Sequence, residues 1–143
     1  MDNLRDSQRA KVYDWETIHV HSRIRDRVTF KNAQHLIDHV WQGEGLARPP
    51  QAKELHVNSG AEASACRMTV CISKEDGIRS SVLLHELAHS MTSLPDGRSA
   101  QHGPRFVGMF IDLLVKYARM DRNLLEGTAK ACKVEFNYKG HVL

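Results

Sequence analysis

The chain has 143 residues, of which 41% are hydrophobic and 26% charged, a composition typical of one globular domain and unlike disordered, collagen-like or coiled-coil chains. No apolar run approaches the roughly 18 residues that a membrane span needs. The net charge is +3, and basic residues exceed acidic ones by 7 to 5 in residues 1–31 and by 8 to 4 in residues 98–143, so the basic termini permit contact with DNA.

Three cysteines, Cys66, Cys71 and Cys132, make an odd number without a CxxC pair. Neither a disulfide framework nor a four-cysteine zinc ribbon can be assembled from them. The first residues are polar. They lack the apolar core that a secretory signal peptide would require. We therefore expect a cytoplasmic protein that has no contact with a membrane.

The N-terminal part is predicted to be helical, with helices over residues 4–20 and 32–42 and a Gly- and Pro-rich segment at 43–51. The second helix has apolar residues at helical spacing, namely Ala33, Leu36, Ile37, Val40 and Trp41. These residues predict a face that packs against a sheet.

Two short strands are predicted next, over residues 54–58 and 66–73. Alternation along the second strand puts four apolar side chains on one face, Cys66, Met68, Val70 and Ile72. Asp76 fits the N-cap of a helix from about residue 78 to 93. An apolar arc would anchor this helix in the core, formed by Leu83, Leu84, Leu87 and Met91.

This helix contains His85-Glu86-Leu87-Ala88-His89, the HExxH pattern. Residues four apart lie one turn apart on a helix, so both imidazoles can hold one ion, and Glu86 is offset by about 100° toward the same cavity. The alternative is a chance occurrence of the pattern on an amphipathic helix. A catalytic zinc also needs a third protein ligand and an open position for water.

The third ligand can be sought downstream in three ways. The metzincin continuation would need Gly and His where the sequence has Thr92 and Pro95, so it does not apply. A gluzincin would use a glutamate from a later helix, and Glu126 and Glu135 are the two candidates. Neither lies in the expected acidic motif, which makes this alternative the weaker one.

The third candidate is His102, which follows a turn and precedes Pro104. Proline suits the first turn of a helix, here predicted over about residues 104–119, so His102 can face back toward the HExxH helix. A core-facing stripe supports this second helix, formed by Phe106, Phe110, Leu113 and Tyr117. A last helix is predicted near residues 121–132 with Asp121 as its cap.

The six other histidines have less specific surroundings, and His56 is expected to point outward on its predicted strand. His35 and His39 form HLIDH, which resembles the inverted HxxEH zinc motif with Asp in place of Glu. No third ligand accompanies them, so we interpret them as surface residues of a packing helix. We expect His19 and His21 to be solvated in a basic stretch, and His141 to lie in a mobile tail.

HELAH followed after twelve residues by HGPRF resembles the SprT-like zinc metalloproteases, the group that includes Spartan. The resemblance implies His85, His89 and His102 as the ligands of one Zn²⁺ per chain. It implies Glu86 as the catalytic base. The opening residues also look like small HExxH proteins of plasmids and phages, which suggests a mobile-element origin.

The fold class predicted from this resemblance is α+β, a single small zincin-like domain with a small β-sheet, the HExxH helix and surrounding helices. It would span residues 1–143. The N-terminal helical part would cover about residues 1–45, the zinc-binding core about 53–120, and the C-terminal helix with a short tail about 121–143.

The predicted function is zinc-dependent hydrolysis of peptide bonds in protein substrates, with possible DNA association. Zinc lowers the pKa of its bound water to about 7, and Glu86 would accept the proton.

Three unranked candidates could stabilise the charge that develops on the carbonyl oxygen, namely Arg105, Tyr117 and Tyr138. If the strand at 66–73 lies on the sheet edge, it could receive an extended substrate. The alternative is a zinc-containing DNA- or protein-binding regulatory module of a mobile element.

Overall fold

A computed structural model describes residues 6–55, 63–73 and 77–143. Within these residues the chain is a small α+β domain with five α-helices and two small sheets, so the predicted α+β class is confirmed. The helices are α1 (Arg9–Trp15), α2 (Phe30–Gly43), α3 (Ser80–Met91), α4 (Pro104–Tyr117) and α5 (Arg122–Ala131). None of the described helices is both long and apolar enough to cross a bilayer.

The first predicted helix is interrupted. Helix α1 ends at Trp15 and continues as a π-helical turn, Glu16–Val20, and a 3₁₀ turn, His21–Arg23. The N–H of His21 donates to the carbonyl of Glu16, five residues earlier. This wider turn places the two side chains together, whereas an α-helix would separate residues five apart by about 140°.

The strands are β1 (Arg27–Val28), β2 (Gln51–Glu54), β3 (Ala63–Ala65), β4 (Thr69–Ile72) and β5 (Ile78–Arg79). Strand β1 pairs antiparallel with β5. The other sheet has the order β2-β4-β3, with β2 parallel and β3 antiparallel to β4. Strand β4 is therefore central, so residues 66–73 do not meet the condition of lying at a sheet edge, whereas β3 does.

The prediction for residues 66–73 is wrong at its start. Val70 and Ile72 are buried, but Met68 is 51% exposed and Cys66 is also exposed, because both precede β4 in the connection from β3. The other predicted strand shares only residue 54 with β2, which starts earlier. Residues 56–58 of that prediction, and the predicted N-cap Asp76, lie outside the described residues.

Helix α3 lies in the centre of the core, packed against α4, β3 and β4. Its predicted apolar arc is confirmed, since no member is more than 1% exposed: Leu83, Leu84, Leu87 and Met91. Helix α4 begins at Pro104, as predicted. The predicted cap of α5 is also confirmed, because the carboxylate of Asp121 accepts the N–H of Leu124 at 2.9 Å.

The C-terminal tail is attached to the domain rather than mobile, contrary to expectation. The N–H of Asn137 donates to the carbonyl of Pro104 at 3.0 Å, and that of Val142 to the carbonyl of Met91 at 2.9 Å. A glycine in α4 permits this close approach, since a Cβ at Gly108 would lie 1.6 Å from the Asn137 oxygen. The tail therefore covers α4 and the end of α3.

Candidate metal centre

The three histidines singled out in the sequence meet between α3 and α4. His85 and His89 lie one turn apart on α3, and His102 immediately precedes the N-cap of α4. Their ligand atoms lie within 4.8 Å of one another, and this is the one such group found among the described residues. Glu126 and Glu135, the gluzincin candidates, are outside it. The three histidines form a cluster that could hold a metal ion.

The ring nitrogens have a spacing suited to one ion. The Nε2 atoms of His89 and His102 are 3.2 Å apart. Two nitrogens bound tetrahedrally to zinc, each at 2.0–2.1 Å, would be about 3.3 Å apart. The Nδ1 atoms of His85 and His102 face carboxylates, which directs the opposite nitrogen of each ring toward the cluster.

Two carboxylates from the N-terminal segment orient these rings. Oε2 of Glu16 lies 2.7 Å from Nδ1 of His85. Asp6 contacts Nδ1 of His102 through one carboxylate oxygen and accepts its backbone N–H at 3.1 Å through the other. Histidines that bind metals commonly donate their second N–H to a carboxylate in this way, which fixes the tautomer and the ring orientation.

His21 extends this network and is not solvated, so the expectation for it is wrong. Its side chain is 14% exposed, and its Nε2 lies 3.6 Å from the Glu16 carboxylate. On the other side, its Nδ1 lies 2.7 Å from the Ser81 hydroxyl on α3. His35 and His39, in contrast, are exposed on α2 and lie outside the cluster, in agreement with the interpretation as surface residues.

Electrostatics favour neutral rings at two of the three positions. Burial, with the positive charge of neighbouring histidines, lowers the pKa of His89 to about 2. Burial also lowers the pKa of His102, despite its Asp6 contact. For His85, burial acts in the same direction, but the hydrogen bond and charge of Glu16 outweigh it and raise the pKa. Neutral imidazoles are the form that binds metal.

Glu86 faces the open side of the cluster. Its side chain is largely buried and lines two adjoining cavities of about 310 and 430 Å³. Both cavities are also lined by His85, by Ala63 of the edge strand and by Tyr13 of α1. The carboxylate of Glu86 and the histidine cluster therefore share one cleft.

Tyr13 is a residue of this cleft that the sequence analysis did not identify. Its ring centroid lies 5.0 Å from that of His102 and 6.1 Å from that of His85. The side chain is 41% exposed, so its hydroxyl can meet a ligand in the cleft. Asp6 and Glu16 were also missed, and all three lie far from the HExxH motif in sequence, where spacing provides no signal.

The three residues suggested for stabilising a developing charge bond elsewhere. The hydroxyl of Tyr117 donates to Glu44 at 2.7 Å, and that of Tyr138 to Glu126 at 2.5 Å. Arg105 donates to carbonyl groups of the C-terminal tail at 2.7–2.8 Å. None of the three lines the cavities beside Glu86.

Comparisons of the chain with protein-family models, with curated proteins and with solved structures give no significant match. The class of site is therefore defined by its geometry alone. It is a three-histidine cluster in a small α+β domain, oriented by two carboxylates and open to a cleft that a third carboxylate lines.

Proposed function

We propose that the chain is a zinc-dependent endopeptidase with a zincin-like arrangement, related to the SprT-like metalloproteases. The observation that carries this proposal is the convergence of three imidazoles on one point beside the carboxylate of Glu86. Three neutral imidazoles suit Zn²⁺ and leave a fourth position for water or substrate. The residues present therefore fit one zinc ion per chain, held by His85, His89 and His102.

A bound zinc ion in such a site supplies Lewis acidity and lowers the pKa of a coordinated water to about 7. Glu86 provides the proton transfers, since its carboxylate can accept a proton from the attacking water and return it to the leaving amine. Glu16 and Asp6 hold two of the histidine rings in place throughout. This division of roles corresponds to peptide hydrolysis.

Tyr13 takes the role for which the sequence offered Arg105, Tyr117 and Tyr138. Its phenol is partly exposed in the cleft next to His85 and Glu86. A hydroxyl placed there can donate a hydrogen bond to a substrate carbonyl oxygen as negative charge develops on it. We assign Tyr13 this stabilising role.

Strand β3 provides a place for the substrate backbone. Its three residues line the cavity at the histidine cluster, and its outer side is the edge of the described sheet. Its side chains, Ala63, Ser64 and Ala65, are small and leave the edge accessible. An extended peptide can add to such an edge through main-chain hydrogen bonds. This favours unfolded or flexible segments of proteins as substrates.

The test compares wild type with Glu86→Gln, both loaded with zinc, on an unfolded protein substrate. The amide keeps the size of the side chain but accepts no proton, so we expect cleavage to fall by about 10²–10⁴ while zinc content is unchanged. Glu126→Gln, the same change at a half-buried glutamate of α5, is the matched control and should retain activity.

Both single-stranded and double-stranded DNA are included as additions, because the basic termini permit DNA contact. Stimulation by DNA would support a DNA-associated protease. If wild type holds zinc yet cleaves nothing with or without DNA, the endopeptidase proposal fails. The zinc-containing binding module of a mobile element would then take its place.

A further inference from the structure

The cleft continues beyond Glu86, away from the histidine cluster. A third cavity of about 330 Å³ shares Thr17, His21 and Val82 with the cavity next to Glu86. Its remaining lining residues are Arg27 of β1 and Arg79 of β5. The three cavities thus form a succession from the candidate metal centre to a pair of arginines.

The distance from Glu86 to this end follows from helix geometry. Arg79 is the N-cap of α3, seven residues before Glu86. Seven residues advance about 10 Å along a helix and return to within about 20° of the same face. An extended peptide advances about 3.3 Å per residue. The backbone of Arg79 therefore lies about as far from Glu86 as three residues of an extended peptide span.

The two arginines face each other across the β1–β5 pair, since Arg27 and Arg79 are partners in its register. Arg79 donates to the carbonyl of His21 at 3.1 Å and forms no ion pair within the described residues. Arg27 donates to the carbonyl of Gly77 at 3.0 Å.

The carbonyl contact of Arg79 positions its guanidinium but does not neutralise it. Each guanidinium has five N–H donors, so the contact of Arg79 with one carbonyl leaves others directed at the cavity or solvent. The planar donor arrangement of arginine matches a carboxylate, which it can bind through two parallel hydrogen bonds. The chemistry at this end of the cleft is thus complementary to an anion.

We propose that Arg79 forms a substrate subsite at this end of the cleft, which binds an Asp or Glu side chain about three residues from the bond to be cleaved. The inference rests on the proposed function and deepens it. It defines the substrate class as peptides with an acidic residue at a set distance from the scissile bond. Arg79, at the head of α3, makes the principal contact.

The first experiment measures cleavage of fluorescein-labelled peptides that differ only in one residue, Glu or Gln, moved stepwise along the sequence. Zinc-loaded wild type should cleave the Glu peptide about fivefold faster at one position near the third residue from the cut, as expected for an exposed charge pair. Arg79→Gln should lose this preference. Arg122→Gln, at an arginine of α5 outside the three cavities, should keep it.

The second experiment measures binding of the same peptides by fluorescence anisotropy, using zinc-loaded Glu86→Gln so that hydrolysis is not required. The Glu peptide should bind about fivefold more tightly than the Gln peptide. In Arg79→Glu this order should reverse in favour of a Lys peptide, a result that mere destabilisation of α3 cannot produce.

The outcomes separate the two proposals. Peptide cleavage without any Glu preference leaves the endopeptidase standing and overturns the subsite. Binding that prefers Glu and depends on Arg79, without cleavage by wild type, supports the subsite and refutes the endopeptidase. Equal binding of Glu and Gln peptides, or no binding of either, overturns the subsite.

Discussion

Replacing Glu16 by alanine should weaken zinc binding although Glu16 is not itself a ligand. Its carboxylate lies 2.7 Å from Nδ1 of His85, and the two side chains are 3% and 6% exposed. Without Glu16, the Nδ1–H of His85 would be buried without its acceptor and the ring would lose the contact that orients it. A hydrogen bond to a charged group contributes about 1.5–3 kcal/mol.

Since 1.4 kcal/mol is a factor of ten in a dissociation constant, this range corresponds to a loss of at least tenfold. Removal of such supporting groups typically costs about 10–100-fold in metal affinity. We expect the zinc dissociation constant of Glu16→Ala to rise within that range. Glu16→Gln keeps an acceptor oxygen and should fall near its lower end.

The assay is a competitive titration of the metal-free protein with zinc and a chromophoric chelator at neutral pH. Circular dichroism and thermal unfolding of the metal-free variants verify that the fold is retained. Glu126→Ala is the control and should bind zinc as wild type does. Unchanged affinity in Glu16→Ala would refute the orienting role, and a loss in Glu126→Ala would favour the gluzincin alternative.

Two further predictions concern the cleft and the tail. Tyr13→Phe should lower kcat by about 10²-fold and leave the zinc affinity unchanged. This is the lower end of the effect expected when one donor to a developing oxyanion is lost. Reduced zinc content with a normal kcat per bound zinc would contradict this role. Gly108→Ala should destabilise the fold by about 1–3 kcal/mol, because its Cβ would overlap the Asn137 carbonyl. Gly127→Ala, with no atom near its Cβ position, should stabilise α5 by about 0.5–1 kcal/mol. Thermal unfolding measures both variants. Unfolding temperatures that shift in the same direction for the two would refute the packing argument.

Much of the fold and the histidine cluster could be predicted because local spacing carries that information. His85 and His89 belong to one helix, where a separation of four residues means one turn. The start of α4 at Pro104 and the cap of α5 at Asp121 follow from backbone preferences of a few consecutive residues. His102 lies only thirteen residues after His89, immediately before the next helix to pack against α3.

The groups that surround the cluster became apparent only in the tertiary structure. Glu16 meets His85 across 69 residues and Asp6 meets His102 across 96, so no spacing rule connects them. The π-helical turn brings His21 to Glu16, and periodicity of 3.6 residues does not predict such a turn. Local sequence thus determined the three candidate ligand residues. The docking of the N-terminal segment on α3 decided which carboxylates orient their rings, because that contact depends on packing between distant segments.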